Sequence, residues 1–158
     1  MKSENYMELK YPSKSANEAF ARAAVACFAA QLDPTLDELG DIKTAVSEAV
    51  TNCIVHAYAE SGVGKIYISA RIYPDRRLWL KIRDCGCGIA DVKQAMQPAF
   101  TGDPGGERAG LGFSIMQSFM DRVRVSSRPG HGTSVILEKR IPERLTRQTR
   151  KFIDAGDT

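Results

Sequence analysis

Three short patterns in the chain carry side chains able to do chemistry. Glu48 and Asn52 stand four apart in a stretch of helical spacing, so both fall on one face of one helix. Further on, Asp84-Cys85-Gly86-Cys87-Gly88 places a carboxylate directly before two spaced glycines, and Gly110-Leu111-Gly112 opens a later helical segment. A carboxylate at a strand end can accept a hydrogen bond from an exocyclic amine, while glycines let the backbone approach a flat base. Glycines at a helix start leave unpaired N–H groups and the positive dipole end open to phosphate. One neutral carbonyl, such as that of the Asn52 side chain, anchors a divalent ion that keeps most of its waters. A glutamate one turn earlier, Glu48, is then placed to take a proton from an attacking hydroxyl or water during phosphoryl transfer. Taken singly, each pattern is also what a solvated helix face or an ordinary turn looks like. Neither a Gly-Lys-Ser/Thr phosphate loop nor a six-residue dinucleotide fingerprint is present. The ordered set of three points to a site for ATP with Mg2+.

The elements that must position these residues follow from periodicity. Tyr6 to Tyr11 alternates as a strand, and Ser15 with Glu18 has the capping-box spacing for an alanine-rich helix to about Gln31, with Phe20, Ala24, Cys27 and Phe28 as its apolar face. A second helix is expected from about Thr35 to Tyr58, its buried stripe formed by Leu39, Ile42, Val46, Ala49, Val50, Cys53 and Ala57. Thr44, Glu48, Asn52 and His56 recur every four residues on another side. Lys65 to Tyr73 and Arg77 to Arg83 read as an antiparallel hairpin that turns at Pro74 and Asp75. A short helix spans Asp91 to Gln97, and Thr101 to Gly110 is a glycine-rich, polar stretch suited to a mobile lid. A helix from Leu111 to Asp121 and a hairpin of Arg122 to Ser127 with Thr133 to Lys139 complete the chain. Strands interspersed with one-sided helices imply a two-layer α/β sandwich, with helices covering one face of a mixed, mainly antiparallel sheet.

Composition narrows the classes. At 158 residues, with 26% of them charged, the chain suits one globular domain with a single core, so two domains are not expected. The net charge of +3 is too small and too scattered to imply a direct nucleic-acid or membrane surface. Only the segment from Lys139 to Lys151 concentrates basic residues, which divides the chain into residues 1–141 as the folded unit and 142–158 as a basic, flexible tail. With no leader pattern and no apolar run of spanning length, a cytoplasmic location is expected. Cys85 and Cys87 are two apart, which fits neither a CxxC redox motif nor a zinc knuckle, so they are not read as metal ligands; their place in the nucleotide loop makes them candidate oxidation targets. Cys27 and Cys53 are read as small core hydrophobes.

Four boxes, Ser47 to Asn52, Asp84 to Gly88, Glu107 to Phe113 and Gly132 to Ser134, resemble the nucleotide-binding boxes of the GHKL ATPases and kinases. The likeness covers nearly the whole chain. Phe20-Ala21-Arg22, Gln31 to Thr35 and Asp37-Glu38-Leu39 extend it toward the small anti-sigma serine kinases of sporulation. That resemblance implies the Bergerat ATP-binding fold, with Glu48 as general base, Asn52 on Mg2+ and Asp84 on adenine supported by Thr133. It also implies that Gly86 and Gly88 shape the base pocket, that Gly110 and Gly112, with Leu111 between them, meet the phosphates, and that Arg108 faces nucleotide or partner. The implied partners are a sigma factor, an anti-anti-sigma protein as phosphorylation substrate, and a second copy of the chain in a homodimer. Cysteines at the variable positions of the second box, and Ala57 where relatives often have glycine, depart from the pattern. A stress-response anti-sigma kinase, or a nucleotide-gated sigma-binding module with little kinase activity, are the alternatives.

Overall fold

The computed structural model describes residues 1–98 and 109–144. Five strands form one sheet: β1 (Asn5–Pro12), β2 (Lys65–Ile72), β3 (Arg77–Asp84), β4 (Arg122–Arg128) and β5 (Gly132–Arg140), in the spatial order β1-β2-β3-β5-β4. All four pairings are antiparallel, so the mainly antiparallel sheet expected from the sequence carries no parallel pair among the described residues. The helices are α1 (Ala16–Ala29), α2 (Leu36–Asn52), α3 (Val92–Ala95) and α4 (Ala109–Phe119).

Alternation fixes which face of the sheet is covered. Ile66, Ile68, Ala70 and Ile72 of β2 are buried together with Leu78, Leu80 and Ile82 of β3, and the register sets Ile68 opposite Ile82 and Ala70 opposite Leu80. The α2 residues Ile42, Val46, Ala49 and Val50 meet that apolar face, each fully shielded. Burying each of the larger side chains contributes about 1.5–3 kcal/mol, so α2 is held chiefly by its contact with the sheet. On the opposite face Tyr67, Arg71, Trp79 and Arg83 remain partly or fully exposed, with Arg71 stacked 5.4 Å from the Trp79 ring and Arg83 4.3 Å from that of Tyr67.

Two expectations about the helices are corrected. Ser15 sits in helical backbone and makes no side-chain cap, and Glu18 bonds Arg22 in the next turn instead. The capping box forms at α2: the Thr35 hydroxyl accepts from the Glu38 N–H, and the Glu38 carboxylate accepts from the Thr35 N–H at 2.9 Å. In α1 the buried face is Ala21, Val25, Ala26, Phe28 and Ala29, so Phe20 and Cys27 point outward. So many alanines leave no polar contrast from which to choose the face, and packing against α2 chooses it. The predicted long second helix ends in a π-helical turn, Cys53–Ala57, one residue wider than the α-helical turn before it.

The left-handed turn after Asp75 is pinned by its own side chain. Arg76, at φ 63°, donates from Nε to the Ile141 carbonyl at 3.0 Å and from Nη2 to the Leu32 carbonyl at 2.5 Å. At the other end of α2, Arg144 grips Glu38 with both guanidinium nitrogens, at 2.6 and 3.0 Å. Its hydrogen bond holds the Glu38 carboxyl below the usual carboxylate range. A lowered carboxyl stabilises the fold above that range, and the contribution is lost as pH falls through it. Thr35→Ala should therefore cost about 1 kcal/mol in urea unfolding at neutral pH. The difference in midpoint between the wild type and Arg144→Ala should close on acidification; a gap of constant size across the carboxylate range would show that the pair is not coupled to folding.

Candidate functional site

The site lies where α2 ends against the C-terminal end of β3. A cavity of about 520 Å³ opens there, walled by Ala49, Ile89, Ala95, Phe113 and Val135, with Asn52, His56, Asp84, Gln94, Gln97 and Thr133 as polar residues of its lining. An apolar cleft with few, fixed polar groups is the usual form of a small-molecule site.

Asp84 is its most constrained member. Only 5% exposed, its Oδ1 accepts from the Gly86 N–H at 3.0 Å and the Thr133 N–H at 3.2 Å. Among the described residues Oδ2 meets only the Cys53 thiol, at 3.5 Å, and so retains acceptor capacity; Asp84 lines the cavity. Burial, and next the Asp84 charge, push the Cys53 thiol well above its ordinary range, so it stays a protonated donor to that oxygen. Behind Asp84, the Tyr58 hydroxyl donates to the Lys65 carbonyl at 2.6 Å and accepts from the Cys85 N–H at 2.8 Å.

The loop after Asp84 fits between two pieces of backbone. On one side the Cys87 N–H donates to the carbonyl of Ala57, the last residue of the π-helical turn, at 2.8 Å. On the other, Gly130 donates to the Cys87 carbonyl at 2.8 Å. A Cβ at Gly86 would collide with the Ala57 carbonyl, one at Gly88 with the Arg128 carbonyl, and one at Gly132 with the Asp84 carbonyl. Gly88 and Gly132 are also left-handed, at φ 74° and 96°. Ser127 bridges the loop to the β4–β5 hairpin: its Oγ accepts from the Ile89 N–H at 2.7 Å, donates to the Gly132 carbonyl at 3.0 Å, and lies 2.8 Å from the Thr133 hydroxyl.

Glu48 and Asn52 reach the opening of the site from α2, where α4 crosses. A Cβ built on Gly112 would stand 3.2 Å from Glu48 Oε2 and 3.5 Å from the Asn52 side-chain oxygen, so both groups converge on the first turns of α4. Gly110 falls within the first turn of that helix, and Leu111 is about half exposed. Arg108 and most of the proposed lid, residues 101–108, lie outside the described residues.

The profile of the histidine kinase-like ATPase domain matches residues 11–139. An anti-sigma F factor of Caldanaerobacter subterraneus is 57% identical over 141 residues, covering 89% of this chain and 97% of that protein. Those of Clostridium beijerinckii and Bacillus velezensis are 51% and 53% identical, over 88% and 87% of this chain and 96% and 93% of theirs. The chain belongs to the anti-sigma F factor family. The crystal structure of the RsbU and RsbW domains of a Mycobacterium tuberculosis protein superposes with a TM-score of 0.64 at 19% identity, over 90% of this chain and 34% of that one. The histidine kinase domain of a blue-light-activated kinase from Erythrobacter litoralis gives 0.53 at 18%, over 87% and 64%. These two likenesses show the fold.

In this anti-sigma F family member the structure brings Glu48, Asn52, Asp84, Gly86, Gly88, Gly112 and Thr133 to one cavity and its mouth. Sequence reasoning missed Ser127, Tyr58 and the Ala57 carbonyl, for which no spacing signal exists; Gly132 was placed in the fourth box, without the close approach to the Asp84 carbonyl that the structure gives it. Gly130→Ala meets a left-handed backbone with open space around it and should cost about 1 kcal/mol. Gly132→Ala adds the collision with the Asp84 carbonyl and should cost about 3 kcal/mol. Equal losses in chemical denaturation would mean that the hairpin yields and the contact with Asp84 does not constrain it.

Proposed function

We propose that this chain is an anti-sigma factor that binds and inhibits a sporulation sigma factor and, as a serine/threonine protein kinase, phosphorylates a serine of its anti-anti-sigma partner with Mg-ATP. The observation that carries the reading is the second oxygen of Asp84, the one buried carboxylate among the described residues that line a mainly apolar cavity, with acceptor capacity to spare. Such an acceptor suits the exocyclic amine of adenine and rejects the carbonyl that guanine has at that place. The 51–57% identity to anti-sigma F factors over nearly their full length supports the choice of partners. Residues 1–141 would make the nucleotide-binding unit, working as a homodimer.

The residues present fit Mg2+. Asn52 would hold it through its carbonyl oxygen, and the ion would supply charge neutralisation at the phosphates. Thr133 would support the base, with Gly110 and Gly112 opening the first turns of α4 to phosphate and Arg108 facing nucleotide or partner. Glu48, one turn from Asn52, would accept the proton of the substrate serine as its oxygen attacks the γ-phosphorus. A base at this place separates catalysis from binding, because holding ATP does not require one.

Glu48→Gln should leave Mg-ATP and sigma binding nearly intact while lowering serine phosphorylation by roughly 100-fold or more. Phosphorylation of the small partner at the parental rate would reduce Glu48 to a surface residue. Calorimetry separates the other two roles. Asn52→Ala should weaken nucleotide binding chiefly when Mg2+ is present, whereas Asp84→Ala should weaken it with or without the ion and erode the preference for ATP over GTP. Equal losses in the two variants irrespective of Mg2+ would overturn the assignment.

A further inference from the structure

Ser127, near the end of β4, has one hydrogen to give and two lone pairs with which to accept, and its Oγ meets three partners. The Ile89 N–H, at 2.7 Å, can only donate; the Gly132 carbonyl, at 3.0 Å, can only accept. The third partner is the Thr133 hydroxyl, at 2.8 Å, which can do either. One arrangement of protons satisfies all three contacts. Ser127 gives its hydrogen to the Gly132 carbonyl and accepts from the Ile89 N–H, so the remaining bond is made with the hydrogen of Thr133.

Thr133 lines the cavity beside Asp84, whose Oδ1 accepts from the Thr133 N–H at 3.2 Å. Among the described residues Ser127 is the one partner of the Thr133 hydroxyl. With its hydrogen committed to Ser127, that hydroxyl has only lone pairs left. Asp84 is an acceptor as well, with capacity left on Oδ2. The two neighbours therefore make the same offer to a base: each takes a hydrogen bond from an amine, and neither donates one to a carbonyl oxygen. Without Ser127 the Thr133 hydroxyl is free to turn and donate.

We propose that Ser127 is a specificity-determining residue of the nucleotide site, a positioning residue that acts through Thr133. By holding the Thr133 proton it keeps that hydroxyl from donating, and so selects an amine over a carbonyl at position 6 of the purine. This rests on the reading of the cavity as the nucleotide site and deepens it, because part of the discrimination passes to a side chain that is not itself in the cavity lining. A carbonyl brought against Thr133 and Asp84 loses its water and finds no hydrogen to replace it, which is how a site built for one hydrogen-bonding pattern rejects another.

The test measures binding of ATP and of inosine triphosphate, each with Mg2+, by calorimetry in the wild type, Ser127→Ala, Thr133→Val and the double variant. Inosine differs from adenosine only in having a carbonyl and a ring N–H where adenine has its amine and a bare ring nitrogen. The wild type should prefer ATP by about tenfold or more. Ser127→Ala removes the anchor of the Ile89 loop, which lowers both affinities alike, and should also narrow the preference by about fivefold through a relative gain for the inosine nucleotide. Thr133→Val should narrow it too, because ATP loses an acceptor and the inosine nucleotide loses nothing. On that background Ser127→Ala should leave the ratio unchanged. A merely structural role for Ser127 moves both affinities and not their ratio. The proposal is overturned if the wild type binds the two nucleotides equally, if Ser127→Ala keeps the wild-type ratio, or if it shifts the ratio as much with Thr133→Val as without it. It is also overturned if Thr133→Val leaves the preference unchanged or widens it, and should Ser127→Ala not fold, that direction decides alone. A wild type that binds neither nucleotide overturns the nucleotide-site reading itself, and this inference with it.

Discussion

Everything at the site depends on how closely the loop after β3 approaches its neighbours. Gly86 lies against the carbonyl of Ala57, Gly88 against that of Arg128, and Gly132 against that of Asp84. These are three contacts of backbone on backbone with no room for a side chain, and they bring α2, β3 and the β4–β5 hairpin to a single point. Asp84 is fixed as a result. Its two N–H donors, from Gly86 and Thr133, belong to two of the elements so joined, so its rotamer is set chiefly by the closeness of the chain, with the Cys53 thiol as the side-chain donor to its other oxygen. A carboxylate held in this way needs little reorganisation to accept a further hydrogen bond.

The π-helical turn is part of the same device. The last carbonyls of a helix have no partner within it and are available for capture. By widening at Cys53–Ala57, the end of α2 presents the Ala57 carbonyl to the Cys87 N–H while keeping Cys53 beneath Asp84. Glu48 and Asn52 lie just before the widening, in regular helix, where the four-residue spacing holds and both reach Gly112. Regular helix positions the pair at the opening, and irregular helix anchors the Asp84 end of the cavity.

What could be read from the sequence follows from this division. The hairpin of β2 and β3, its buried face and the position of Asp84 at a strand end were legible, because alternation with period two admits no other assignment once one face is apolar. The Glu48 and Asn52 pair was legible for the same kind of reason. The outward turn of Phe20 and Cys27 was not, since an alanine-rich helix has no sharp polar boundary. Nor could spacing reveal Ser127, whose three contacts join Ile89 of the loop to Gly132 and Thr133 of the hairpin. The capping box was sought at Ser15 and formed at Thr35; both sequences satisfy the motif, and only the second is preceded by a left-handed residue, Asp33, that redirects the chain.

The arrangement of the open sheet face has a spectroscopic consequence. Trp79 is the single tryptophan of the chain, and it projects from β3 on the side away from α2, beneath the Arg71 guanidinium. The inward residues on either side of it, Leu78 and Leu80, separate the indole from the helical layer. Intrinsic emission from this protein is thus a reporter of whatever covers or exposes the bare side of the sheet. The cavity lies on the opposite side and at the far end of the same strand, with Asp84 at its wall and Trp79 outside it.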